Sequence, residues 1–291
     1  MSEDATVTRA FGGQSMVEPL RRVLVRPPRA EDLSAWRSYG WLDAPDSAIA
    51  AKEHDAFCNL LHSLGSEVLL GGPDNGNPDA IYACDPALTC DDGVILLRPG
   101  KEARRTEPEA LEADLVRFEV PVAARIEPPG TAEGGDIVWL DSETLIVGRS
   151  YRTNDDGIAQ LANALSDVRV EAFDVPHVDG RQSVLHLMSL LSPLDRDLML
   201  AFPPLMPVRL MELLEERSIT VVPVPEEEFA TMGPNVLAVA PRIALALDGN
   251  PMTRKAMEVA GVEVHTYEGE EISRKGEGGP TCLTRPILRS S

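Results

Sequence analysis

Five apolar segments of strand character recur roughly every fifty residues along this chain of 291: residues 22–26, 94–98, 144–148, 198–201 and 236–240. Helical patterns follow them, and short second strands such as 68–70, 168–170 and 219–223 come after the helices. The five units share no sequence identity, so what repeats is an architecture: strand, helix, strand. Such a rhythm predicts a pseudo-symmetric α/β assembly. By itself it fits an α/β propeller and a doubly wound sheet equally well.

The first helix shows how local chemistry sets each unit. Phe57, Leu60, Leu61 and Leu64 form an i, i+3, i+4, i+7 stripe, Asp46 or Ser47 can cap its start, and Gly65 suits the residue just past its end. Similar helices are expected to begin near Thr153, Met206 and Thr253. No glycine-rich stretch has a nucleotide-binding spacing. No linker or low-complexity stretch divides the chain, so residues 1–291 read as one domain.

Charge narrows the partners. With 27 Lys and Arg against 47 Asp and Glu, the formal charge is −20. Such a surface repels phosphate backbones, which argues against nucleic acid and favours the approach of a small cation. No run of eighteen apolar residues could span a bilayer, and Met1–Arg9 carries no apolar core for secretion. The expectation is a cytoplasmic protein without a membrane partner; whether it forms a homo-oligomer is left open. Cys58, Cys84, Cys90 and Cys282 contain no C-x-x-C pair and are expected as free thiols.

Five short segments carry reactive side chains: 77–86 (with Asp79, Cys84 and Asp85), 98–107 (with Arg104), Glu133-Gly-Gly-Asp136, 185–189 (with His186) and 278–284 (with Cys282). Individually each has an ordinary structural explanation, such as an acidic turn, a core histidine or a buried cysteine. Together and in this order they closely resemble the guanidine-modifying enzymes, above all the dimethylarginine dimethylaminohydrolase branch. The resemblance runs from residues 20–25 to Cys282 and includes Gly148-Arg-Ser-Tyr-Arg-Thr-Asn154.

What the resemblance implies is a five-bladed α/β propeller with a polar central channel, no cofactor and no metal. Cys282 would be the nucleophile, His186 the proton shuttle, and Glu133 and Asp85 the groups that hold a small cationic guanidino substrate. Arg104 and Arg152 would bind an α-carboxylate, Asp79 would line the substrate side, and Asp136 would be a weaker member of the substrate-binding set or a structural residue. The residue types suit the chemistry: a guanidinium carbon is a poor electrophile and needs a thiolate, and carboxylates grip its cation through charge-assisted hydrogen bonds. Water as second nucleophile gives a ureido product. An amine acceptor would give amidino transfer, and a non-catalytic arginine-binding protein is the alternative outside the enzymes.

Departures and rivals accompany this reading. Cys84 stands where the closest methylarginine hydrolases carry glutamate, and Met188 stands where arginine deiminases and amidinotransferases carry aspartate. The segment between Pro27 and Leu42 reads equally as a lid or a solvated loop. His54, Cys58 and His62 at i, i+4, i+8 form a poor metal trio on one helix, with both histidines expected at the surface. His177, with Asp179 nearby, is the second candidate for the proton shuttle.

Overall fold

The computed structural model describes residues 9–74, 76–178, 180 and 185–290. Fifteen strands form five three-stranded sheets. In the first sheet β1 (Leu20–Val25) lies between β15 (Arg285–Arg289) and β2 (Glu67–Leu70). The second holds β3 (Ala87–Cys90), β4 (Gly93–Leu96) and β5 (Val122–Arg125). The third holds β6 (Ile137–Asp141), β7 (Thr144–Arg149) and β8 (Arg169–Asp174). The fourth holds β9 (Leu191–Asp195), β10 (Leu198–Ala201) and β11 (Thr220–Pro223). The last holds β12 (Val236–Ala240), β13 (Ile243–Leu247) and β14 (Glu263–Tyr267).

Every sheet obeys one rule. Its middle strand pairs antiparallel with one neighbour and parallel with the other. An antiparallel pair needs only a tight turn, whereas a parallel pair needs a crossover, supplied here by the helices Ser47–Ser63, Glu107–Arg117, Asp155–Ala164, Val208–Glu216 and Pro251–Val259. This is a five-bladed α/β propeller. The middle strands carry apolar runs whose two faces are both covered: Leu145, Ile146 and Val147 are fully buried. The helices contribute their stripes, with Phe57 and Leu61 buried and Phe57 set 4.8 Å from the Tyr267 ring. Burying a Leu or Phe side chain of this kind stabilises by roughly 1.5–3 kcal/mol.

The first helix follows its sequence signals closely. Asp46 caps it by accepting from the Ala48 and Ile49 amides, and Gly65 beyond its end has a φ of 95°. The segment after Pro27 forms two short helices, Ala30–Leu33 and Trp36–Tyr39.

Five strands are the antiparallel partners in their blades: β15, β3, β6, β9 and β12. They neighbour one another around the ring, β12 beside β9 and β15 beside β3. The chain segments that lead into these five strands therefore converge. They end in Cys282, Asp85, Glu133 to Asp136, His186 and Asn235, one contribution from each blade.

Candidate active site

Asp85 is fixed from two sides. Its Oδ1 accepts the Gly135 amide at 2.8 Å, and its Oδ2 accepts from Arg104 Nη1. Glu133, with no solvent exposure, accepts at Oε2 from His186 Nε2 at 2.7 Å. Its Oε1 takes the Lys101 amide at 3.2 Å and Arg152 Nη1 at 3.4 Å. Ligand atoms of Asp85, Glu133 and His186 all lie within 4.8 Å of one another. Asp136 is also fully buried and accepts the Leu187 amide and the Ser150 hydroxyl at 2.9 and 2.6 Å. It ties the Glu-Gly-Gly-Asp turn to the segment carrying His186. Gly135 is required at its place, since a Cβ there would stand 2.4 Å from His186 Nδ1.

The electrostatics follow from this crowding of acids. Burial opposes a charged imidazole, but Asp85, Asp136 and Glu133 outweigh it and raise His186 to about 9. Burial likewise opposes a charged Glu133, yet the His186 hydrogen bond and charge, with Arg152 and Arg104, hold it well below the usual carboxylate range. The two form an ion pair. The half-buried Cys282 thiol is pushed up to about 12 by desolvation, then by Asp85 and Cys84, while a hydrogen bond from Asn235 works the other way. A cation entering beside Asp85 and Glu133 would cancel much of the negative field that keeps this thiol protonated.

The two arginines expected as a carboxylate clamp have different fates. Arg104 is 4% exposed, and all three of its side-chain nitrogens are engaged: Nε and Nη2 by Glu107 at 2.6 and 2.8 Å, Nη1 by Asp85, and Nη2 again by the Asp79 and Tyr82 carbonyls. It braces Asp85 and the wall around it, where the sequence reading set it beside Arg152 as an α-carboxylate clamp. Arg152 is half-buried and lines a cavity of about 170 Å³ together with Tyr151, His177 and Leu185. Asp79 is likewise committed, accepting Trp41 Nε1 at 2.8 Å and Lys101 Nζ at 2.6 Å. Because Trp41 ends the segment after Pro27, and Lys101 Nζ also reaches the Tyr39 carbonyl at 2.6 Å, that segment is pinned over the Asp79 wall.

Among the described residues, Asp85, Glu133 and His186 are the one set of three His, Cys or acidic residues that converges as metal ligands could. His54 is 3% exposed, not a surface residue, and burial lowers it to about 4. It sits 3.6 Å from Cys58 Sγ inside its helix, while His62 is exposed. His177 is exposed and bonds the Tyr151 hydroxyl at 2.9 Å; Asp179 lies outside the described residues. Cys84 turns its sulfur to Arg285, 2.8 Å from Nη2. Sequence reasoning missed Asn235, whose Nδ2 donates to Cys282 Sγ at 3.3 Å. The only available signal was positional: it precedes β12 as the other four groups precede their strands.

Comparison with known proteins agrees with this architecture. The arginine deiminase family model matches residues 76–215 and 207–289. The dimethylarginine dimethylaminohydrolase of Pseudomonas aeruginosa is 30% identical over 264 residues, covering 91% of this chain and 98% of that one. An arginine deiminase of Listeria monocytogenes is 28% identical over 74% of this chain, which spans 62% of that relative's length. A solved structure of the Pseudomonas dimethylaminohydrolase, a cysteine-to-serine variant with citrulline, superposes with a TM-score of 0.78 at 28% identity, covering 94% of this chain and all of that one. A five-bladed α/β propeller with a thiol, an imidazole and carboxylates gathered at its centre defines a class, and this chain belongs to it: the guanidine-modifying enzymes of the arginine deiminase family. Within that family its likeness over nearly the whole length is to the dimethylarginine dimethylaminohydrolase branch.

Proposed function

We propose that this protein hydrolyses the guanidino group of an arginine-type amino acid, either an Nω-methylated arginine or arginine itself. The products are citrulline or a related ureido compound and an amine or ammonia. The observation that supports this most is the His186–Glu133 ion pair set beside Asp85, a buried acidic cluster whose Asp85 also acts on the Cys282 thiol.

In this reading the substrate guanidinium lies against Asp85 and Glu133, and its charge lowers the cost of ionising Cys282. The Cys282 S–H proton passes to solvent as the cation settles, and the resulting thiolate attacks the guanidinium carbon and forms a C–S bond. His186 gives its proton to the departing nitrogen as that C–N bond breaks, leaving a covalent thiouronium on the sulfur. Now neutral, His186 takes a proton from water as the water oxygen bonds to the same carbon. Collapse breaks the C–S bond, returns the electron pair to sulfur and releases the ureido product. Arg152 meets the α-carboxylate at the cavity of about 170 Å³, while Asp79, Arg104 and Asp136 hold the walls.

Pairing of β15 with β1 supports reading the chain as one catalytic domain. Its four cysteines are all unpaired, which suits the reducing cytoplasm expected from the sequence. The test is incubation with arginine, methylated arginines, agmatine and shorter guanidino acids, followed by assay of ureido product. Acid-quenched protein is expected to carry a substrate-derived mass on the Cys282 peptide. Turnover by Cys282→Ser near the unmodified rate would remove the nucleophile assignment.

A further inference from the structure

Four of the five segments that lead into the inner strands supply a group the proposed reaction uses: Asp85, Glu133, His186 and Cys282. The fifth ends in Asn235, the residue before β12. We propose that Asn235 is a catalytic residue, donating its Nδ2–H to Cys282 Sγ so that the thiolate is stabilised as it forms and is aimed at the guanidinium carbon. The inference rests on the reading of Cys282 as nucleophile.

The geometry fixes which end of the amide faces the sulfur. Asn235 Oδ1 accepts the Thr281 amide at 3.2 Å, and a backbone N–H can only donate, so the oxygen must stay on that side. The NH₂ end is thereby left for Cys282, at 3.3 Å. The side chain has little room to turn, being 7% exposed. Gly279 presses on it from the nucleophile segment, and a Cβ there would come within 2.4 Å of Oδ1. The Asn235 backbone is anchored as well, its amide bonded to the Met232 carbonyl at 3.1 Å.

The surroundings explain why a neutral donor is needed. Asp85 and Cys84 act on Cys282 from the segment before β3, Tyr82 packs from the same segment, and Tyr267 faces it from β14. None of these donates to the sulfur, and the carboxylate opposes its ionisation. Among the described residues, Asn235 provides the side-chain hydrogen bond that favours the thiolate. A lysine or arginine could do so more strongly, but it would repel the cationic substrate. An amide stabilises the anion without that cost.

The test separates this role from the overall function. In substrate-free full-length protein at pH 9, alkylation of Cys282 by iodoacetamide reports its thiolate fraction, with mass spectrometry of the Cys282 peptide excluding the other three thiols. Asn235→Ala is expected to slow alkylation about tenfold, the effect of one hydrogen bond to a charged group. Asn235→Asp keeps the acceptor for the Thr281 amide and puts a carboxylate at the sulfur, so it should slow alkylation further. With a guanidino substrate both variants should lose about 10–100-fold in kcat while KM stays within about threefold. Alkylation within twofold of the unmodified protein in either folded variant, or a loss confined to KM, overturns the proposal. The aspartate variant preserves size and shape, so it remains readable if the alanine variant does not fold. A protein inactive on every guanidino compound would sink the proposed function, yet the alkylation measurement would still decide the Asn235–Cys282 contact.

Discussion

Arg104 and Arg152 look alike in the sequence, but the two walls they occupy are opposites. On the Arg104 wall every charge has an internal partner: Arg104 bonds Glu107 and Asp85, Glu107 also bonds Asn77 at 2.9 Å, and Asp79 holds Lys101 and Trp41. Burial raises Glu107 to about 7 despite its arginine, a sign of how little water reaches that wall. On the Arg152 wall the single bond to Glu133 is long, at 3.4 Å, and the side chain opens on a cavity beside the exposed Tyr151 and His177. One wall is a rigid brace for the acids. The other borders an open cavity.

The largest effect should come from breaking the brace. Arg104→Ala leaves Asp85 and Glu107 as buried acids without their cation, and losing one side of such a pair costs about 3–5 kcal/mol. Chemical denaturation should show that loss, with turnover falling alongside. If Arg104→Ala unfolds normally yet loses affinity for arginine alone, the two walls have exchanged roles.

The next prediction concerns the ion pair between the walls. His186 has a folded pKa raised from 6.5 to about 9, so its stabilising contribution is full below about 6.5 and fades as pH rises through 9. Glu133 is lowered from 4.5, so its contribution is full above that value and fades as pH falls further. Stability from the pair should therefore be greatest between about pH 4.5 and 6.5 and drop by roughly 3 kcal/mol by pH 9. Glu133→Gln should flatten the alkaline side of that profile in denaturant titrations; an unchanged slope would rule out the pair as its source.

On the open wall, Arg152→Ala should leave the fold intact and reduce kcat/KM for arginine-type substrates about a hundredfold, the value of one strong charged contact. Agmatine, which has no carboxylate, should be far less affected. Comparable losses for both compounds would mean that Arg152 acts through Glu133 instead. The smallest effect is expected at the rim. His177→Ala should change stability by less than about 0.5 kcal/mol and KM only a few-fold, since the side chain is exposed. A severe loss of kcat there would reinstate it as the proton shuttle.

Much of this was legible before any coordinates. The helix Ser47–Ser63 was readable because cap, stripe and terminal glycine agreed. Four of the five apolar segments are middle strands, whose continuous burial makes them conspicuous. The fifth, 236–240, is β12, a partner strand, and the middle strand of that blade is the neighbouring β13. Strands such as β3 were missed because four residues containing Thr and Cys carry little periodic signal. The burial of Arg104 and His54 was hidden for another reason. Nothing along the chain reveals whether a charged side chain meets Glu107 or water, because its partners arrive from other elements. Asn235 was invisible for the same cause: the thiol it touches is 47 residues away.

The position of Cys282, three residues ahead of the strand that closes the ring, bears on how such a protein is made. Ribosomal synthesis is vectorial, so the strands from β1 to β14 emerge before Cys282 and β15 do. The acids, the imidazole and the amide can assemble first, and the sulfur joins them in the step that locks the last sheet against the first. In the mechanism proposed above, a half-made chain thus has a pocket but no nucleophile, and free arginine could not trap it as a covalent adduct while it is still folding. A chain ended after Thr284 keeps Cys282 but lacks β15, and it should be inert toward guanidino compounds.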